Sequence, residues 1–540
     1  MTRLELTWPN KDKFLLVPKD EDGKPVWVER DHPAAAEVRV TEFSASVGDL
    51  ESSDPYADNL LFTGDSLDVL RILAEVPEYR RAYRGKARLV YIDPPFNTGQ
   101  AFAHYDDWLE HATWLSFMRE RLLLIRELLA SDGSVWVHLD DVEHHRMRSL
   151  LDEVFGAGNF ITTVVWQKIH ARNNSAQHFS ADHDFVLVYA KDAAKWRPNR
   201  IARTEKSDGD FWNPDDDPRG LWRRSDLTAS KPYEDGHYEV VGPYGDVFKP
   251  RPGRPWSTSK ENFDALVADN RVWWGKTGRS FPFRKRFKSE LGDLVPHTVW
   301  LHAEVGNNRE AKAEISKLFR QDAFSTPKPE RLLERIIHIG SNPGDIVLDC
   351  FAGSGTTAAV AHKMGRRWVT AEVLPETVDA FTRPRLELVA KGEDAGGITN
   401  AAGWEGGGGF RCIGVGPSMY VDTPFGVLLS EQATNGTFSK AVAGQLGYEF
   451  QPDAAPLCGI RGRMRLAVLD GTVGGEEVRA IVASLGEGER VEIVGRSVLD
   501  GAATLLTSLA KGSKITKAPR DLLTKSALRT RRRAQREVGE

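Results

Sequence analysis

The sequence predicts an α/β fold built on a parallel sheet with its chemistry on one rim, and three stretches carry that prediction. The first is Leu89–Ile92, an apolar run with the length and β-rich character of a buried parallel strand, which stops at Asp93-Pro94-Pro95-Phe96. The second is Ile346–Leu348, a buried strand that enters the turn Phe351-Ala352-Gly353-Ser354-Gly355 and then a helix over Thr356–Met364. The third is Arg367–Ala371, a strand ending at Glu372. Open parallel sheets bind ligands beyond the carboxyl ends of their strands, so the three tips fall on the same rim.

Each tip has its own chemistry. Two prolines cannot donate to a sheet ladder, so the strand ends and the backbone after it is stiff. They leave a carboxylate, unpaired carbonyls and an aromatic ring held at the edge; alone, the pattern also suits a plain turn. The glycines at 353 and 355 let the backbone approach a ligand beside a helix N-terminus. An acid at the next strand's end, Glu372, suits ribose hydroxyls, so the group reads as a cradle for a nucleoside-containing cofactor. Ala358 stands where the dinucleotide fingerprint needs its third glycine, which argues against a dehydrogenase.

At 540 residues the chain exceeds one ordinary core, so two to four domains are expected. It has no apolar run of membrane-spanning length and no apolar leader, so a cytoplasmic, non-membrane protein is expected. The three cysteines, Cys350, Cys412 and Cys458, are scattered, which fits neither a disulfide framework nor a structural zinc site and suits a reducing compartment. A net charge of −5 argues mildly against nucleic acid, but local charge decides that question.

In chain order, residues 1–58 read as an accessory segment with short strands at Phe14–Val17 and Val26–Glu29. Leu60–Phe62 is a strand leading through Thr63-Gly64-Asp65 into a helix over Ser66–Leu73, with Asp65 a carboxylate at the helix start. Glu110–Leu129 repeats Trp114, Met118, Ile125 and Leu128 at helical spacing, a core-facing helix stopped by Ser131-Asp132-Gly133 before the strand Ser134–Leu139. Asp140 and Asp141 lack further acid or histidine ligands, so no metal is expected; His144 and His145 read as surface or subunit-contact residues on the next helix. Val164–Lys168 and Asp184–Ala190 are the last strands expected in the sheet.

From His170 to Arg320 cations interleave with aromatic rings, the mixture that phosphate contact and base stacking require. Arg251, Arg254, Trp273, Trp274, Lys276, Arg279, Arg284, Lys285 and Arg286 are the nucleic-acid-binding candidates; the competing reading is a loop-rich insertion whose Trp residues form a local core. Gly275-Lys276-Thr277 is no phosphate loop, because Asn270 occupies the position of that motif's first glycine. Thr326–His338 is a helix entered through Pro327 and Pro329. Lys391–Gly409 is glycine-rich and marks a domain boundary. Beyond it Phe410–Val415, Met464–Leu469, Glu476–Leu485 and Arg490–Val494 alternate strand and helix, and a basic tail follows with Arg531-Arg532-Arg533 at its centre. The predicted organisation is an accessory segment (1–58), a first catalytic half (59–168), an insertion (169–320, including the strand 184–190), a cofactor half (321–392), a linker (393–409), a small α/β domain (410–510) and the tail (511–540).

Asp93-Pro94-Pro95-Phe96 resembles the catalytic motif of DNA amino-methyltransferases, and Phe351-Ala352-Gly353-Ser354-Gly355 resembles their S-adenosylmethionine loop. The catalytic motif comes first, which is the permuted order of the β class. Asn59–Leu70, Asp93–Gly99, Trp114–Leu129, Asp132–Asp141, Glu304–Asn308 and Lys328–Gly355 further resemble the methylating (Mod) subunits of type III restriction–modification systems. The resemblance implies a Rossmann-like S-adenosylmethionine-dependent methyltransferase fold in which the insertion recognises the target. It assigns catalysis to Asp93, Pro94, Pro95 and Phe96. It assigns the cofactor to Asp65 (adenine side), Asp93, Lys328 (methionine side), Asp349, Phe351, Ala352, Gly353, Ser354, Gly355, Thr356 and Glu372. Aspartate at the first motif position implies N6 of a flipped adenine; N4 of cytosine, a DNA-binding specificity subunit and an RNA methyltransferase are the alternatives. The implied partners are double-stranded DNA, a helicase/nuclease restriction subunit and a second copy in a homodimer.

Overall fold

The computed structural model describes residues 5–17, 24–30, 32, 35–50, 54–98, 109–171, 174–204, 208–319, 324–423 and 426–522. Arg531-Arg532-Arg533 of the predicted basic tail lies outside the described residues. Residues 1–198 and 297–540 form one compact unit, and Asn199–Pro296 form a second.

The first unit is organised on a ten-stranded sheet. Its strands in chain order are β1 (Thr41–Gly48), β2 (Asn59–Thr63), β3 (Ala87–Ile92), β4 (Leu129–Leu139), β5 (Phe160–Gln167), β6 (His183–Ala190), β7 (Val299–Trp300), β8 (Ile346–Asp349), β9 (Arg367–Glu372) and β10 (Gly409–Val415). Across the sheet they run β7-β5-β6-β4-β3-β8-β9-β2-β10-β1. The six strands from β4 to β10 are parallel, whereas β6 is antiparallel to both β4 and β5, and β1 is antiparallel to β10. From β8 the chain steps to β9 on one side, and from β3 it steps to β4 on the other. The strand order therefore reverses between β3 and β8, and a crevice opens at their carboxyl ends.

The central strands are apolar on both faces because helices cover both. Leu60, Leu61 and Phe62 of β2 are all fully buried, as are Val90 and Ile92 of β3. The helix His111–Leu128 turns Trp114, Met118, Ile125 and Leu128 into the same core, as their spacing predicts. At about 25 cal/mol per Å² of apolar area, each large side chain so enclosed contributes roughly 1.5–3 kcal/mol against the entropy of ordering it.

Several boundaries differ from the sequence reading. The lead-in is no separate accessory piece: β1 is an edge strand of the main sheet, and Trp8 enters its core with Nε1 donating to Ser116 Oγ at 2.7 Å. β1 reads as polar because an edge strand leaves its residues exposed. The stretch 393–409 is no linker. Asp394 is buried against Lys363, and β10, expected in a C-terminal domain, pairs in parallel with β2. Glycine is required at its start, since a Cβ on Gly409 would lie 2.3 Å from the Val47 carbonyl oxygen. Ser131-Asp132-Gly133 does not separate helix from strand, for β4 runs straight through it, and β7 adds a strand outside β5. The insertion is shorter than 169–320, because the helices His302–Val305 and Asn308–Leu318 belong to the first unit.

The second unit carries a three-stranded antiparallel sheet of Trp222–Asp226, Phe283–Phe287 and Val272–Trp273. Its core gathers Leu227, Val240, Trp256, Phe263, Val272 and Trp274. The C-terminal part of the first unit has a five-stranded sheet in which Met464–Val473, Arg490–Val498 and Lys514–Lys517 are parallel, crossed by the helices Gly475–Ala483 and Ala502–Leu509. No helix among the described residues is long and apolar enough to cross a membrane.

Candidate active site

At the crevice between β3 and β8 a cavity of about 240 Å³ gathers Asp65, Asp93, Pro95, Lys328, Asp349, Phe351, Ala352, Gly353, Ser354, Thr356 and Glu372. A second cavity of about 320 Å³ adjoins it, walled by Pro94 and Phe96 together with Lys168, Asp184 and Asn308. Asp93, Thr326, Pro327 and Lys328 belong to both, so they form the partition. The proline-stiffened tip and the glycine cradle thus open onto shared space. Gly355 is the exception among the predicted cofactor residues. It caps the helix Thr356–Lys363 with a φ of +76° and backs onto Thr382, so it shapes the turn instead of walling a cavity.

The first cavity is built from strand ends. Asp65 closes the start of the helix Ser66–Glu75 by accepting from the Leu67 N–H at 2.8 Å, and Arg121 Nη2 reaches Asp65 Oδ2 at 2.8 Å. Asp65 is therefore the helix-start carboxylate the sequence suggests, and it also walls the first cavity. Glu372 accepts from the Gly353 N–H at 2.9 Å and the Leu374 N–H at 3.1 Å, which fixes the acid across the turn; burial raises its pKa. Gly353 has a φ of +49°, and a Cβ there would lie 3.0 Å from the Phe324 ring. Burial pushes the Asp349 carboxyl up to about 7; the hydrogen bonds from Thr357 and the Phe351 N–H oppose this, and Asp93 and Glu372 nearby add to it.

The tip of β3 is held on several sides. Trp114 Nε1 donates to the Pro95 carbonyl at 2.8 Å. Asn97, at a φ of +62°, donates to the buried Glu143 at 2.7 Å and accepts from the Leu109 N–H at 2.7 Å. Lys328 Nζ donates to Asp93 Oδ2 at 2.5 Å and lies 5.2 Å from the Phe96 ring centre. The other carboxylate oxygen, Asp93 Oδ1, is buried without a hydrogen-bond partner among the described residues. An unsatisfied buried acceptor costs roughly 1–3 kcal/mol, so a donor brought there from outside is strongly favoured.

Sequence reasoning missed Arg121, Glu143, Asn97 and Phe324. Only Arg121 left a signal, a cation on the apolar stripe of its helix that is 4 % exposed. Lys328, predicted at the cofactor's methionine end, lines the first cavity but spends a hydrogen bond on Asp93.

Of the nucleic-acid-binding candidates, Arg251, Lys276, Arg279 and Arg286 are exposed on the second unit, whereas Arg254, Arg284 and Trp273 are half-buried. Two are corrected. Trp274 is part of that unit's core, and Lys285 is buried and paired with Asp215 and Asp217. Neither is open to a phosphate or a base: the local-core reading holds for Trp274, and a buried ion pair holds Lys285. Among the described residues no group of three or more His, Cys, Asp or Glu side chains is placed to hold a metal ion.

A reversed strand order, a glycine turn facing an acid, and an orphan carboxylate oxygen between two cavities are the architecture of a Rossmann-like methyltransferase. Residues 87–383 match the DNA methylase family, N6_N4_Mtase, and the chain belongs to it. Among its relatives is the Mod subunit of the type III restriction-modification enzyme StyLTI of Salmonella typhimurium, 34% identical over 334 residues (56% of this chain, 49% of the relative). Another is the type II methyltransferase M.EcaI of Enterobacter cloacae, 30% identical over 328 residues (59% of this chain, 67% of the relative). The chain spans about half the length of the StyLTI subunit. The solved PvuII DNA methyltransferase (cytosine-N4-specific) covers 64% of this chain and 90% of its own, at 18% identity and a TM-score of 0.34.

Proposed function

We propose that the chain is a site-specific DNA methyltransferase that transfers a methyl group from S-adenosylmethionine to N6 of an adenine flipped out of duplex DNA. The observation that carries this reading is Asp93 in the partition between two cavities, with Oδ1 buried and without a hydrogen-bond partner among the described residues. The first cavity suits the cofactor's chemistry. Asp65 and Glu372 offer carboxylates to hydroxyl and amino groups, Phe324 and Leu374 supply apolar contact, and Gly353 leaves room that a Cβ would fill. S-adenosylmethionine supplies, when bound, an electrophilic methyl on a sulfonium.

The residues of the second cavity do the rest. An exocyclic amine is a poor nucleophile because its lone pair is delocalised into the ring. Asp93 Oδ1 and the Pro94 carbonyl accept its two N–H groups, which favours a pyramidal nitrogen and offsets the positive charge that grows on it. Lys328 holds Oδ2, so Oδ1 is presented in one orientation. Phe96 offers its face to the extruded base, and stacking with these hydrogen bonds offsets the few kcal/mol that flipping costs. The exposed cations of the second unit are the candidates for duplex phosphates.

Adenine is chosen because aspartate heads the motif, and the similarity to Mod subunits supports a restriction–modification setting; a helicase/nuclease subunit and a homodimer are the assembly that the motif resemblance implies. The test is to incubate the protein with S-adenosylmethionine and unmodified genomic DNA, digest the DNA, and identify methylated nucleosides by mass spectrometry. N6-methyldeoxyadenosine is the expected product. N4-methyldeoxycytidine would move the target to cytosine, and a parallel incubation in which RNA but not DNA is methylated would overturn the reading.

A further inference from the structure

Under the second cavity runs a buried polar column that the mechanism above does not use. Tyr91 Oη meets His138 Nδ1 at 2.9 Å, His138 Nε2 meets Asp184 Oδ2 at 3.3 Å, and Lys168 Nζ donates to Asp184 Oδ1 at 2.6 Å. Tyr91, His138 and Asp184 are at most 2 % exposed. The column crosses four strands, with Tyr91 on β3, His138 on β4, Asp184 on β6 and Lys168 just past β5. Burial works against the ionised Asp184 carboxyl, yet His138 and Lys168 hold its pKa below the ordinary value. Asp184 therefore accepts from both neighbours, with Nε2 the imidazole nitrogen that donates to it.

A buried ion pair is a poor source of stability, because desolvating its charges costs about what their attraction returns. What this one secures is geometry. Lys168 and Asp184 both wall the second cavity, and Asp184 takes one of the ammonium's three N–H groups. Phe96 stacks on His138, with ring centres 5.8 Å apart and planes 27° apart. The stacking ring and the ammonium are therefore fixed to a common support, in a cavity that Asp93 also walls.

We infer that Lys168 is the base-reading residue of this cavity, donating to the ring nitrogen beside the exocyclic amine, and that Asp184 and His138 are its positioning residues. The inference rests on the proposed amino-methylation. An acceptor at Asp93 beside a donor at Lys168 matches the edge of an amino base, where an amine adjoins an unprotonated ring nitrogen. A base with an oxo group beside a ring N–H presents the reverse pattern and leaves both protein groups unpaired. Rejection by unpaired polar groups discriminates far better than the loss of apolar contact.

The test compares the wild type and Lys168→Met on a duplex carrying the site mapped by methylation sequencing, with adenine or 1-deazaadenine at the target. Calorimetric titration with S-adenosylmethionine and a thermal melt confirm that the variant is folded and binds cofactor. Removing the ring nitrogen should cost the wild type at least about tenfold in kcat/KM, as for a hydrogen bond to a charged group. Lys168→Met should lose a similar factor on adenine and become nearly indifferent to the deaza substitution, while Lys168→Arg, which keeps a donor, should recover part of the preference. A Lys168→Met enzyme that remains as sensitive to 1-deazaadenine as the wild type, or that is fully active, overturns the inference and leaves the methyltransferase reading intact. No transfer by the wild type to either duplex overturns both.

Discussion

At the scale of single residues the site works through what each group is denied. Asp93 has one oxygen spent on Lys328 and one with no partner among the described residues, so among those residues its value lies in an acceptor left to a ligand. Gly353 is denied a side chain. Gly353→Val adds roughly 1–2 kcal/mol of left-handed backbone strain and drives atoms into Phe324, so calorimetry should show S-adenosylmethionine affinity lost while the fold survives. Asp349 is denied water. Its folded pKa of about 7 lies above the ordinary 3.8, so its stabilising contribution is complete below about pH 4 and is lost as pH rises towards 7. The melting temperature of the cofactor-free protein should fall more steeply across that window than that of Asp349→Asn; equal slopes would refute the assignment. Asp93, Gly353 and Glu372 were legible because their identities and spacing from strand ends are local. Lys285 was not, since its burial depends on Asp215 and Asp217, which no spacing rule connects to it. His138 and Asp184 were hidden inside strands that otherwise read as apolar.

At the scale of elements the sheet core was legible and its margins were not. β2, β3, β8 and β9 announce themselves as short apolar runs bounded by turn residues, because both of their faces are covered. β1 failed that test, whereas β10 was read as a strand at Phe410–Val415 but placed in a separate C-terminal domain. β1 is an exposed edge, and β10 follows a glycine-rich stretch that looks like a flexible tether but is glycine-rich because backbones close in on it. Substituting Gly409→Val places a side chain against the Val47 and Asp49 carbonyls, at 2.3 and 2.9 Å from its Cβ. It should cost about 1–3 kcal/mol in denaturant unfolding, as overpacking does, whereas a tether would tolerate it without loss.

At the scale of the whole molecule the proposed function asks how a chain of net charge −5 would engage a polyanion. Under that proposal the answer lies in distribution. Lys276, Arg279 and Arg286 stand exposed on the second unit, although Arg279 shares its charge with Asp246. Replacing Lys276 and Arg286 by Glu should weaken duplex binding at every sequence, and should flatten the dependence of log affinity on log salt by about 0.9 for each phosphate that is no longer neutralised. Cofactor titration should be unchanged. The composition alone pointed both towards and away from nucleic acid in this region, and burial divided it: Trp274 went to the core, and Arg251, Lys276, Arg279 and Arg286 to the surface.

The central claim is that one carboxylate, set between a cofactor cavity and a base cavity, makes the amine reactive. The most direct measurement is methyl transfer from labelled S-adenosylmethionine into duplex DNA by Asp93→Ala, run beside a calorimetric titration of the same variant with the cofactor. The account predicts transfer reduced roughly 100- to 1000-fold, as when a group stabilising transition-state charge is removed, with cofactor affinity near that of the wild type. Undiminished transfer, or a loss explained entirely by weaker cofactor binding, would contradict it.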